Sequence, residues 1–319
     1  MKVRYTFLLA VLLHSYMQAQ DIIEEGASLQ LISETFEFTE GPARDSHGNV
    51  YFTDQPNDRI VKWDATTNTV SDWMQPSGRS NGLYFDADGN LISCADNKNE
   101  LRKIGSDKNV TVLIDNYQGK LLGGPNDLWI DKEGGIYITD PLYKRDWWVT
   151  REPEVEKRRV YYLAPGSKEL KIVAEDFVMP NGIIGSKNGK KLYVADIGDK
   201  KTYEFTINKD GSLSERKLFC ELGSDGMTVD HKGNVYLTGQ GVTVFDKNGK
   251  QIEHIEVPRK LDGEHHFCRS QKRPTVHNSH GRRLHFKNEC KRSPLKPKED
   301  DLEKSIRQTR MRRNYSAYQ

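Results

Sequence analysis

Five stretches of the chain repeat one pattern of apolar and polar positions. They read EGPARDSHGNVYFTD from Glu40, NGLYFDADGNLISCAD from Asn81, NDLWIDKEGGIYITD from Asn126, NGIIGSKNGKKLYVAD from Asn181 and SDGMTVDHKGNVYLT from Ser224. Near the start of each stands a side chain bearing oxygen. A short apolar segment follows, then a turn, then a second alternating segment rich in β-branched and aromatic residues, such as Tyr51-Phe52-Thr53 and Val235-Tyr236-Leu237. Period-two alternation of such residues predicts half-buried β-strands. The turn glycines Gly48, Gly89, Gly134, Gly189 and Gly233 tolerate the positive φ of a tight hairpin. They recur at intervals of 41, 45, 55 and 44 residues. A period of that length, built from strands and tight turns, predicts a β-propeller in which each repeat is one four-stranded blade.

Further strands are expected between the copies, at Arg59–Trp63, Val110–Ile114, Arg159–Leu163 and Val242–Phe245, and helical periodicity is scarce. Ala27 to Phe38 alternates weakly and reads as one or two strands. The longest interval contains an insertion from Tyr143 to Pro153, with Trp147 and Trp148 adjacent, placed at a blade edge or over the channel mouth. Packing of those tryptophans against the ring is the favoured reading, and a lining role in a binding site is the alternative. Beyond Pro258 the alternation stops, where a further strand and turn are due.

Charge separates that last segment from the rest. Residues 259–319 hold 17 Lys and Arg against 7 Asp and Glu, whereas the preceding residues hold 31 against 39. The segment reads as a basic tail, disordered or aberrant, and its abrupt onset fits out-of-frame translation. No motif supports nucleic-acid binding by it. At the other end, Lys2 and Arg4, the apolar run Phe7–Leu13 and small residues around Ala19 make a secretory signal peptide. The expected organisation is therefore a signal peptide at 1–19, a propeller at 20–258 and the tail at 259–319. The expected location is secreted or periplasmic, with no membrane partner. Four cysteines, Cys94, Cys220, Cys268 and Cys290, show neither a disulfide-framework nor a zinc-finger spacing.

The candidate chemistry lies at the openings of the copies. Equivalent positions of successive blades point to the same end of the central channel. Glu40, Asn81, Asn126, Asn181 and Asp225 occupy such a position, each followed by glycine except Asn126, which is followed by Asp127. Two carboxylates and up to three amide oxygens form a hard-oxygen set that suits calcium, or less snugly magnesium or manganese, over zinc. Each residue taken singly is also an ordinary turn former. The closing aspartates Asp54, Asp96, Asp140 and Asp196 form a second series, assigned mainly to backbone satisfaction. Asp140, in TDPLY, is retained as a candidate contact to the substrate or to a residue that touches it.

From about Phe38 to Pro258, the motifs EGP, PND, PNGI and SDGMTVD, in this order and spacing, resemble the regucalcin/gluconolactonase family of six-bladed β-propellers. The resemblance implies an all-β fold with six blades, the sixth incomplete because the C-terminal segment departs from the repeat. It implies one divalent cation, calcium first and magnesium, manganese or zinc as alternatives, held by Glu40, Asn126, Asn181 and Asp225. Asp225 would also be the catalytic acid or base, and Asn81, in SNGL, would lie near the substrate; Asp127 and Asp140 are candidate substrate contacts outside what the resemblance implies. The implied activity is hydrolysis of a small-molecule lactone. Some family members carry an Arg two residues before the Asn of PND, where this chain has Gly124. The identity of the lactone is therefore not transferable. A non-catalytic propeller that binds a ligand or protein on its axial face is the competing expectation, as is an ester or phosphotriester hydrolase using the same cation.

Overall fold

The computed structural model describes residues 22–23, 26–143, 145, 154–155 and 157–258, together with the backbone of Phe267–Ser270. Residues 1–19, expected to be a signal peptide, the paired tryptophans, Cys290 and nearly all of the basic tail lie outside the described residues.

Five four-stranded antiparallel sheets follow one another along the chain, each a simple meander. The first holds Thr39–Arg44, Val50–Asp54, Arg59–Asp64 and Thr69–Met74. The second holds Ser80–Phe85, Leu91–Ala95, Glu100–Ile104 and Val110–Ile114. The third is Leu128–Ile130, Ile136–Asp140, Arg159–Leu163 and Leu170–Ala174. The fourth is Pro180–Gly185, Lys191–Asp196, Lys201–Ile207 and Leu213–Cys220. The fifth is Met227–Val229, Val235–Gly239, Gly241–Phe245 and Gln251–Ile255. This is an all-β propeller in which the five repeats supply five blades. A sixth four-stranded blade is not among the described residues. Leu29–Ser33 instead pairs antiparallel with Phe267–Ser270, so a strand does occur inside the segment expected to be tail. The only described helix is a single 3-10 turn at Gln55–Asn57.

The repeat turn has one construction throughout. In the first blade Asp45 Oδ1 accepts the amides of His47 and Asn49, and Gly48 adopts φ +94°. In the second, Asp86 Oδ1 accepts from Asp88 and Asn90, with Gly89 at φ +83°. Asp131 and Asp230 repeat the arrangement, and Ser186 substitutes with a hydroxyl. The short polar side chain closes the loop on itself, which is why Asp leads the turn and Gly ends it.

Apolar residues of adjacent blades form the core. Tyr51, Ile60 and Ala43 of the first blade meet Leu83, Leu91 and Ile104 of the second. Leu101 and Ile114 meet Leu128, Ile138 and Tyr161 across the second and third, and Trp129, Tyr137 and Tyr162 meet Ile183, Leu192 and Phe205 across the third and fourth. Tyr193 and Phe219 meet Val235, Leu237 and Phe245 across the fourth and fifth. Each interface buries several large side chains, at about 1.5–3 kcal/mol apiece, so blade stacking stabilises the ring. Cys94 and Cys220 are buried there as free thiols.

Candidate functional site

The first strands of the blades line the axis, and a local irregularity aims their side chains inward. Pairing of the first and second strands slips between Glu40 and Ala43, between Ser80 and Leu83, and between Pro180 and Ile183. Such bulges re-aim a side chain that regular pleating would place elsewhere. Each slip contains one of the repeat-opening residues.

The glycines after these residues have a steric reason. A Cβ on Gly82 would sit 2.6 Å from Asn126 O and 2.7 Å from Asp127 Oδ1. One on Gly41 would collide with the Asn81 carbonyl. Bare backbone permits Gly82 N to donate to Asn126 O at 2.8 Å, and Gly182 N to donate to Ser224 O at 3.2 Å. Threonines of the second strands lock the same circle. Thr53 Oγ1 donates to Asn81 O at 3.1 Å, and Thr139 Oγ1 donates to Asn181 O at 2.8 Å. These threonines escaped the sequence reading, although Thr recurs beside the closing residue in the first, third and fifth copies.

Glu40, Asn81, Asn126, Asp127 and Asp225 line a single cavity of about 490 Å³, together with apolar residues such as Leu83, Leu128 and Ile183. Asn181 joins this set through its amide, whose Nδ2 donates to Asp225 Oδ1 at 3.1 Å. Asn81, Asn126 and Asn181 are buried, Glu40 and Asp127 are half-buried, and Asp225 is exposed. Asp127 is tied to backbone, with Leu128 N donating to Oδ1 at 2.9 Å and Ile183 N to Oδ2 at 3.2 Å. Asp140 does not line the cavity. It is fully buried, and its Oδ2 accepts from Gly123 N at 2.9 Å. The other closing aspartates, Asp54, Asp96 and Asp196, are likewise buried.

The cavity concentrates negative charge. Desolvation raises the Glu40 carboxyl well above the usual range, and repulsion from Asp225 and then Asp127 adds to it. Desolvation also pushes Asp127 to about 7, against the two backbone amides that favour its anion. Among the described residues, no three His, Cys, Asp or Glu side chains cluster as a metal site by themselves. The donor set here mixes carboxylates with amides. Asn181 Oδ1 is buried and has no hydrogen-bond partner. Leaving such an oxygen unsatisfied costs about 1–3 kcal/mol. An oxygen-seeking divalent cation fits this set on both counts, because it would satisfy that oxygen and offset the clustered charge.

A further residue arrives from the insertion. Tyr143 OH accepts the other Asn181 Nδ2 hydrogen at 3.0 Å. Desolvation raises its phenol, and Asp225 and Glu40 add to the shift, so it stays neutral. Arg145 stacks over the Tyr143 ring at 4.8 Å and makes an ion pair with Asp96 at 2.6 Å. Gly124, where some family members carry Arg, has φ +116°, a backbone region that disfavours a side chain.

Fold and site together define a β-propeller with an axial cavity of carboxylates and carboxamides. The chain belongs to the SMP-30/Gluconolactonase/LRE-like family, whose model matches residues 38–262. It is 26% identical over 259 residues to the gluconolactonase of Zymomonas mobilis, covering 72% of each protein. It is similar to a solved gluconolactonase of Xanthomonas campestris, at 28% identity and a TM-score of 0.71, covering 76% of this chain and 83% of that one. It is also 23% identical over 266 residues to the diisopropyl-fluorophosphatase of Loligo vulgaris, covering 74% of this chain and 84% of that protein.

Proposed function

We propose that the protein is a divalent-cation-dependent lactonase of the gluconolactonase kind. The observation that carries this reading is the axial cavity lined by Glu40, Asn126 and Asp225, with the amide of Asn181 bonded to Asp225 and its buried oxygen left without a partner. Similarity to gluconolactonases from two bacteria supports the same substrate class. Glu40, Asn126, Asn181 and Asp225 would hold the cation, with calcium favoured by the all-oxygen donors and the absence of His and Cys from the cavity lining. A bound cation would supply Lewis-acid polarisation of a carbonyl oxygen.

The chain's own residues then account for proton movement. Asp225 accepts a proton from water as the water oxygen bonds to the lactone carbonyl carbon. When the ring carbon–oxygen bond breaks, the same proton returns to the departing ring oxygen, and a hydroxy acid results. The Asn181 amide orients the Asp225 carboxylate for this work, and exposure of Asp225 gives water a route to it. Asn81 and Asp127, in the cavity wall, are placed to shape the substrate site.

The reading extends beyond the five blades. Residues 1–19 direct export, so the enzyme is secreted or periplasmic. Residues 20–258 carry the propeller, followed by the basic tail. The ring is built on a six-bladed plan whose sixth blade is incomplete, and Leu29–Ser33, paired with Phe267–Ser270 from the tail, is what is described of it.

Hydrolysis of a panel of sugar lactones and aryl esters tests the proposal. Activity should disappear with chelator and return with calcium, or with magnesium, manganese or zinc. Absence of any cation-restorable hydrolysis would favour the non-catalytic axial binder. Similarity to diisopropyl-fluorophosphatase favours a second reading as a phosphorus-ester hydrolase. Adding an organofluorophosphate to the panel separates the two by relative kcat/KM.

A further inference from the structure

We propose that Tyr143 is the positioning residue that, together with Asp225, holds the Asn181 amide in the pose that leaves its oxygen free for the cation. The inference rests on the cation-dependent reading of the same cavity. A carboxamide has two hydrogens on nitrogen and an oxygen that only accepts, and packing barely distinguishes its two orientations. Here both hydrogens are used. One goes to Asp225 Oδ1 at 3.1 Å and the other to Tyr143 OH at 3.0 Å. The reversed amide would set its oxygen against the Asp225 carboxylate, which only accepts, so Asp225 sets which end faces it, and the Tyr143 hydroxyl holds the amide plane in place by taking the second hydrogen. The observed orientation leaves Oδ1 buried without a partner, in the state a cation ligand requires.

The placement of Tyr143 is built rather than incidental. Leu142 holds φ +60°, an uncommon conformation for a leucine that costs on the order of 1 kcal/mol or more. Its turn packs over Gly123, where an added Cβ would lie 2.9 Å from Leu142 Cδ1 and 3.1 Å from Asp140 Oδ1. Asp140 in turn holds the Gly123 amide. On the other side of Tyr143, Arg145 is anchored to Asp96, which also receives Gln55 Nε2 at 3.4 Å. Three blades therefore fix the segment that carries the tyrosine. Asp140 reaches the site by this route, through the backbone that leads to Tyr143, without lining the cavity.

Calcium titration of the full chain by calorimetry tests the inference, with magnesium and manganese titrated in parallel. Residues that orient metal ligands typically contribute about 10–100-fold in affinity. Tyr143→Phe keeps the ring under Arg145, so the fold should be unchanged by circular dichroism. Calcium affinity should fall by about tenfold. In an Asn181→Ala background, Tyr143→Phe should have no further effect, because the amide it orients is gone. Asn181→Leu, which has a similar volume and neither donates nor accepts, serves as a second background if the alanine variant does not fold. Tyr143→Phe binding calcium as tightly as the parent overturns the inference and leaves the cation reading intact. So does an equal loss in both backgrounds, which would mark Tyr143 as merely structural. A parent protein that binds none of the three cations overturns the cation reading and the inference with it.

Discussion

Glu40, Asp127 and Asp225, near the openings of their repeats, share one cavity, whereas Asp54, Asp96, Asp140 and Asp196, at the closings, are buried in their blades. The two series carry the same functional group at different phases of one repeat. At the closings the charge has protein partners. Asp54 accepts the amides of Glu37 and Phe38 and pairs with Arg59 at 2.8 Å, while Asp196 accepts Val178 and Met179. At the openings the carboxylates repel one another, and an amide oxygen among them has no partner. Carboxylates that repel one another across a shared cavity therefore distinguish a candidate site from structural turn chemistry built of the same residues.

Substituting across the two series should separate activity from stability. Asp225→Asn should lower lactone kcat/KM by about 10³-fold, the scale of general-base catalysis. Its urea midpoint should stay close to that of the parent. Near-normal turnover would remove Asp225 from the catalytic role and break the contrast. Asp54→Ala should do the reverse, costing about 2–4 kcal/mol of stability, because it strands two backbone amides and Arg59. Equilibrium unfolding in urea measures it, and a cost below about 0.5 kcal/mol, the ordinary surface range, would contradict the structural assignment.

Asp140 sharpens the comparison, because it is the closing aspartate with the poorest compensation. Its strand neighbour Arg159 turns to Glu175 at 2.7 Å instead, unlike Arg59 beside Asp54. Desolvation pushes the Asp140 carboxyl from the ordinary 3.8 to about 7. Its protonated form is therefore favoured more in the folded chain than in the unfolded one. The stabilisation this gives is fully present below about pH 4 and is lost as pH rises through about 7. Asp140→Asn removes that titration. Thermal midpoints of parent and variant, compared from pH 4 to pH 8, should show the parent losing ground with rising pH. A constant difference would show that Asp140 is not held protonated.

Much of this architecture can be read from the chain. The turn Asp and Gly residues act locally, through side-chain bonds two and four residues on, so five repeats announced five blades. The residues at the repeat openings were also legible, because one phase of a propeller points to one channel. Thr53 and Thr139 were not legible as a locking circle, since their acceptors lie 28 and 42 residues away in the next blade. Nor was the pairing of Leu29–Ser33 with Phe267–Ser270, which joins the two ends of the described chain and has no local signal.

The sequence by itself determined the propeller, the family and the set of oxygen-bearing side chains at one phase, because repetition and turn chemistry are short-range. Only the tertiary structure decided which oxygens face the cavity. That choice depends on bulges at Glu40, Ser80 and Pro180, on backbone contacts allowed by Gly41 and Gly82, and on Tyr143 reaching Asn181 from an insertion. Each of these is a contact between distant parts of the chain, fixed by packing and hydrogen-bond geometry rather than by residue type.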